Sequence, residues 1–156
     1  RGVSMINMSA LGIIYTTYVL IMNQPLNGPI LGGIFTIFGF GIFGKHIRNV
    51  LPILVGTLIA YFLNIYDPHS VSATVTILFA TNLAPVAGEY GFIAGIFAGF
   101  CHVSIVSSVG VLHGGLNLYN NGFSGGFVAA TLVPIFESIR NSRFFDKKEE
   151  EYLWIQ

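Results

Sequence analysis

Polar side chains stranded in apolar sequence are the first places where this chain could do chemistry. Asn82, His102, Asn121 and Ser124 each lie in or beside an uncharged run of membrane-crossing length. Hydrocarbon offers such groups no partner, so a polar or ionisable side chain at membrane depth marks a functional position by default. Asn27-Gly28-Pro29 and Asn121-Gly122 suggest a second chemistry, because each stands just before a glycine pair that opens an apolar stretch. A helix starting there would leave backbone N–H groups open at its positive dipole end, which suits a polar solute or an anion. Asn27, Gly28, Asn82, His102, Asn121, Gly122 and Ser124 are therefore the expected substrate-contacting residues. A plainer role stands beside each: His102, followed by Ser104, Ser107 and Ser108, fits an interhelical hydrogen bond, and the glycines fit close helix approach.

Catalysis has one short signature. Gly122-Phe123-Ser124-Gly125 matches the serine motif of intramembrane rhomboid proteases, and His113 with Asn117 imitates their His-xxx-Asn element. Those proteases carry their general base downstream of the serine, and no histidine follows Ser124. An intramembrane serine hydrolase is thus a remote alternative, and the expectation is a protein without catalytic residues. No histidine or cysteine cluster has metal-ligand spacing, and no glycine loop has the flanking Lys-Ser/Thr of a nucleotide site. Neither a metal nor a cofactor is expected, and the lone Cys101 excludes an internal disulfide.

The elements that must hold these residues follow from composition. Of 156 residues, 53% are apolar and only 9% charged, and the mean hydropathy is +0.72. A water-facing domain carries about 25% charged residues, so the outer surface of this chain is expected to face lipid. Net charge is zero, which excludes the basic excess a nucleic-acid partner demands. Charged positions leave uncharged stretches at 2–44, 49–66, 68–88 and 90–136. A span takes roughly 20 residues, so these read as two, one, one and two crossings. Asn, Gly and Pro clusters at 23–29 and 113–122 supply the turns inside the long stretches.

The expected fold is all-α: a polytopic transmembrane helix bundle of about six membrane segments, near 5–22, 30–44, 49–66, 71–87, 91–112 and 123–139. The second is short and the fourth is interrupted by Asn82-Leu83-Ala84-Pro85. Either could re-enter or break, as backbone at membrane depth does only where protein or a cavity covers it. With six crossings, Arg1, Lys45, Arg48, Arg140, Arg143, Lys147 and Lys148 share one side and Asp67 lies on the other. The positive-inside rule makes that basic side cytoplasmic. Residues 1–140 would form the bundle and 141–156 a charged cytoplasmic tail. The chain opens on Arg1, so an N-terminal part of the same protein is expected as a partner. The bilayer and a second copy in a homo-oligomer are the others.

Two internal patterns stand out. Asn27-Gly28-Pro29-Ile30-Leu31-Gly32-Gly33 parallels Asn121-Gly122-Phe123-Ser124-Gly125-Gly126, and the following stretches close alike at Ile47-Arg48-Asn49 and Ile139-Arg140-Asn141. The copies are parallel if the 71–87 segment spans and inverted if it re-enters, as in many transporter folds. Gly91, Gly95 and Gly99 form overlapping small-xxx-small frames that call for another helix backbone.

Through Asn117 to Ala129, together with Asn27-Gly28-Pro29 and Gly44-Lys45-His46-Ile47-Arg48-Asn49, the chain resembles a family of uncharacterised bacterial multi-pass membrane proteins, found mostly in Firmicutes and classed as a domain of unknown function. The likeness covers nearly the whole chain, as the family's C-terminal part, and implies no activity. The glycine-rich Asn-Gly segments are also similar, over a short length, to the repeated segments of urea-channel proteins. These readings converge on a plasma-membrane transporter or channel component for a small polar solute, with a non-transporting scaffold or assembly subunit as the alternative.

Overall fold

The computed structural model describes residues 2–63, 67, 69–112, 114 and 117–153, with the side chains of 112, 117–119 and 143–153 outside that description. Seven helices are described: α1 Gly2–Ile21, α2 Gly28–Phe40, α3 Ile47–Leu63, α4 Val71–Ala80, α5 Ala84–Tyr90, α6 Phe92–Val106 and α7 Asn117–Leu153. A 3₁₀ turn, Thr81–Leu83, joins α4 to α5. The two form one rod, Val71–Tyr90, so the bundle has six segments, as expected.

Local chemistry sets the ends. Asn27 caps α2, its Oδ1 accepting the Ile30 N–H at 3.2 Å, and Pro29 falls in the first turn, where its missing N–H is no loss. Ser70 caps α4 in the same way through Ala73 N–H. After α2 a 3₁₀ turn, Gly41–Phe43, leads to Gly44 at φ +99°, which stops the helix. Between α5 and α6 the chain turns on Gly91 alone, at φ 90° and ψ −175°, a conformation that is essentially glycine-only.

The α4–α5 rod is the centre of the bundle. Two thirds of its apolar window is buried, against 17% for α1 and 22% for α7. Val75 and Leu78 on one side pack with Leu11, Tyr15 and Val19 of α1 and Ile30, Ile34 and Ile37 of α2. Ala80, Leu83, Val86 and Ala87 meet Ile53 of α3, Ala98 of α6, and Val128 and Leu132 of α7. The outer surface stays apolar: Ile6, Phe43, Phe62 and Ile93 are each more than 70% exposed. Three helical stretches, Gly2–Ile21, Val71–Tyr90 and Asn120–Ser142, are long and apolar enough to cross a membrane, and Gly28–Phe43, Ile47–Leu63 and Phe92–Val106 are shorter apolar helices.

Packing between helices in lipid rests on close contact, since tails are as apolar as leucine. The α3–α6 seam shows this best. A Cβ on Gly99 would collide with the carbonyl oxygen of Ile53, and one on Gly56 with that of Ile96. Gly95 is seated between Ala87 and Pro52, where an added Cβ would stand 2.7 and 2.8 Å from their Cβ atoms. Gly91 is not in this seam, because it forms the corner.

The ends of the bundle are chemically distinct. Gln24 Nε2 donates to the His69 carbonyl, and Asp67, Ser107 and Asn120 line one cavity, so residues 22–27, 67, 69–70 and 107 and the start of α7 share an end. At the other end Asn7 Nδ2 donates to the carbonyls of Gly41 and Lys45 at 3.0 and 2.7 Å, and Arg140 pairs with Glu89. Lys45, Arg48 and Arg140 therefore gather at one end and Asp67 lies at the other. Both copies of the Asn-Gly repeat run from the Asp67 end, so they are parallel.

The 71–87 segment is interrupted, as the sequence suggests, and continues as a rod of 20 residues, because Pro85 sits in the first turn of α5, where proline is tolerated. One expectation needs correction. The connection expected over 113–122 is shorter, since α7 already begins at Asn117. Asn121 and Gly122 thus lie inside a helix, and no open N–H cluster forms at Gly122 to Gly126. Side-chain burial overrides the turn preference of Asn-Asn-Gly here: Asn121 and Ser124 are fully buried. The helix also runs through the 140/141 boundary to Leu153.

Candidate functional site

Polar groups inside the bundle follow α7 inward. At the Asp67 end a cavity of about 280 Å³ is lined by Asp67, Ser70, Ser72, Thr76, Ser107 and Asn120. One residue deeper, Asn121 Oδ1 lies 3.1 Å from His102 Nε2, with both residues fully buried. An amide oxygen only accepts, so Nε2 carries the proton and Nδ1 is left as an acceptor. Among the described residues His102 Nδ1, Asn120 Oδ1 and Ser124 Oγ are buried without a hydrogen-bond partner, as are Thr74 Oγ1 and the Tyr15 and Tyr18 hydroxyls elsewhere in the bundle. Such orphans are uncommon in folded chains, and three of these six lie where α6 meets α7, at the His102–Asn121 contact, where polarity is kept against its desolvation penalty.

Below Ser124, Gly125 lies against the Asn82 carboxamide so closely that a Cβ would overlap Nδ2. Asn82 belongs to the 3₁₀ turn that interrupts the central rod, and its side chain has no hydrogen-bond partner among the described residues. It stands on the rim shared by two open cavities. The first, about 420 Å³, is lined by Thr36, Phe40, Lys45, Asn49, Asn82 and Pro85. The second, about 400 Å³, lies between Asn82, Pro85 and Glu89 on the rod and Gly125, Gly126 and Ala129 on α7.

Lys45 is the charged residue of the first cavity. Although it belongs to a connection, only 8% of it is exposed. Its Nζ donates to Thr81 Oγ1 at 2.9 Å and stands 5.3 Å from the centre of the Phe40 ring. Thr81 in turn donates to the Leu78 carbonyl. Burial pushes the Lys45 ammonium down to about 8. The loop is held rigidly: Asn49 Oδ1 accepts the His46 N–H, Asn49 Nδ2 donates to the Gly44 carbonyl, and Asn7 holds the Lys45 carbonyl.

The structure thus brings together four of the residues expected from sequence, His102 of α6, Asn121 and Ser124 of α7, and Asn82 of the rod, along one line. Asn27 and Gly28 stand apart as the cap and first residue of α2 and line none of these cavities. Gly122 faces outward on α7, with open space beside it. The first repeat copy reaches the site through Thr36 and Phe40, and its Gly33 packs on Leu78 of the rod. Lys45 was visible only as a topology marker. Its signal was a lysine directly after a glycine that ends a helix, which lets the chain fold its side chain back along the bundle. His113 falls outside the described residues, and the side chain of Asn117 does too.

A family model described as a protein of unknown function (DUF1576) matches residues 1–138 of the chain. No curated protein matches, and no solved structure does.

Proposed function

We propose, for a chain that belongs to the DUF1576 family of unknown function, that it forms part of a multi-pass plasma-membrane transporter or channel for a small polar solute. One observation carries this reading: Asn82, with an uncommitted amide, interrupts the central rod midway along its length and opens on two cavities of about 420 and 400 Å³. The amide packs against Gly125 of α7 without a hydrogen-bond partner, and a solute passing through the bundle needs such a group to replace its water. The orphaned His102, Asn120 and Ser124 atoms extend the polar line toward the Asp67 end. In this reading the Lys45 end is cytoplasmic, as its basic residues favour, and no catalytic step is involved. The scaffold alternative draws on the glycine seam between α3 and α6 and on the Gly125–Asn82 contact, and it leaves the Asn82 amide without a polar partner.

The test is solute flux. Full-length protein in proteoliposomes is given glycerol, urea or sodium acetate, and swelling is followed by light scattering. At least one solute should enter faster than into empty vesicles, and Asn82→Ala should slow it tenfold or more without changing the melting temperature. Equal rates for wild type and Asn82→Ala, or no flux above empty vesicles, would set the reading aside. Asn121 is a poorer probe, because its removal also leaves His102 unpaired.

A further inference from the structure

Resting on that reading, we infer that the solute is a small anion whose oxygens are held in the first cavity between the Lys45 ammonium and the Asn82 amide.

The argument begins with charge. An ammonium has three N–H donors, and Lys45 commits one, to Thr81 Oγ1. The acidic residues with described side chains are all placed elsewhere. Asp67 is at the opposite end, and Glu89 and Glu137 both lie with Arg140. A buried cation without a counter-charge is strongly unfavourable, and the cation–π contact with Phe40 offsets only part of this. The loop nonetheless holds Lys45 there, since Asn7 fixes the Lys45 carbonyl and Asn49 the Gly44 carbonyl. A lysine needed only for orientation would extend into water, as Arg48 does.

The cavity supplies the rest. Asn82 presents an amide with no partner on the wall that Lys45 shares. Ammonium and amide N–H together match two oxygens of a carboxylate or a phosphate. A volume of about 420 Å³ holds a solute of a few heavy atoms with some water. The headgroup of an anionic lipid offers the same oxygens, and the cavity opens beside Phe40 and Phe43. We commit to the free anion, because the polar line through Ser124 and His102 continues past the site into the bundle, where a lipid has no reason to follow.

The experiment reads the melting temperature of full-length protein in neutral detergent at constant ionic strength. Sodium acetate and sodium phosphate are compared with acetamide and with sodium chloride. At a hundred times its dissociation constant the bound anion should raise the melting temperature by roughly 5 to 10 °C. Lys45→Met should abolish that shift, and Lys45→Arg should keep at least part of it. Should Lys45→Met not fold, Asn82→Ala read in the same assay must weaken acetate or phosphate binding tenfold or more. Acetamide acting as strongly as acetate, or an anion shift unchanged by these substitutions, would overturn the charge assignment and leave the polar-solute reading standing. A shift produced by phosphatidylglycerol nanodiscs over phosphatidylcholine ones, lost in Lys45→Met and absent with every soluble anion, would assign the site to lipid. Anion binding that needs Lys45 in a protein showing no flux would sink the transport reading and leave the anion site at Lys45 standing without it.

Discussion

Replacing Gly99 by alanine is the sharpest perturbation of the bundle. One methyl group would enter the α3–α6 seam, where its position is taken by the Ile53 carbonyl oxygen and where the Ile53 carbonyl carbon and Cα lie about 3 Å away. Carbon–oxygen contacts between packed helices settle near 3.3 to 3.6 Å, so the two backbones must part by about 1 Å. No side chain can rotate aside, since the obstacle is main chain. Overpacking typically costs about 1 to 3 kcal/mol, and a backbone obstacle places Gly99→Ala at the upper end. At roughly 2 to 4 °C per kcal/mol for a chain of this size, the melting temperature in detergent should fall by roughly 6 to 12 °C. Gly32→Ala is the matched control. Gly32 lies inside α2 with nothing within 4 Å of an added Cβ, and alanine in a helix interior is favoured over glycine by roughly 0.5 to 1 kcal/mol, so its melting temperature should rise by a few degrees. Equal shifts for the two variants, or a Gly99→Ala protein as stable as wild type, would refute the backbone-contact argument.

Three further outcomes follow from the same geometry. Asn121→Ala removes the partner of a fully buried His102 and should cost about 1 to 3 kcal/mol, read as a lowered melting temperature; His102→Leu together with Asn121→Leu should recover part of it. Lys45 has a folded-state value of about 8 against an ordinary 10.5, so the unfolded chain binds the extra proton between those limits and stability should climb as pH rises from about 8 to 10.5. The gain should vanish in Lys45→Met, and a gain of equal size there would place the titration elsewhere. On intact cells, in a Cys101→Ser background, an impermeant thiol reagent should label a cysteine at His69 and spare one at Asn141; the reverse would invert the orientation.

The helices were legible because apolar runs, charges and turn residues each act locally. Asn27 caps its helix as its sequence suggests, and the six segments lie within a few residues of their expected places, α7 excepted. That helix starts six residues before its expected 123, because Asn121 is held by His102 from another segment and a turn preference of its own could not foresee it. The glycine frame was read as one stripe of three. Gly95 and Gly99 join the seam, whereas Gly91 serves a backbone angle, and both uses look alike in sequence. His102, Asn121, Ser124 and Asn82 stand out in the sequence as polar residues among apolar ones, a signal that does not show which of them are neighbours. What brings them into one line is the path of α7 past the broken rod, a non-local contact. Lys45 was missed because a lysine between two helices reads as solvated until the fold shows its side chain turned inward.

The glycine seam also bears on the order in which the bundle is built. Glycine has no rotamers to freeze, so α3 and α6 join with little loss of side-chain entropy, and in lipid this makes their seam a favourable early contact. In sequence they flank the α4–α5 rod. Once α3 and α6 meet, the rod between them is a closed loop lying against both, with its interrupted turn already enclosed on one side. Docking of α2 and α7 then completes the two cavity walls around Asn82. Assembly in that order would leave the polar break sheltered from hydrocarbon from the first productive contact onward, and the least soluble part of the bundle would be the first to find its shelter.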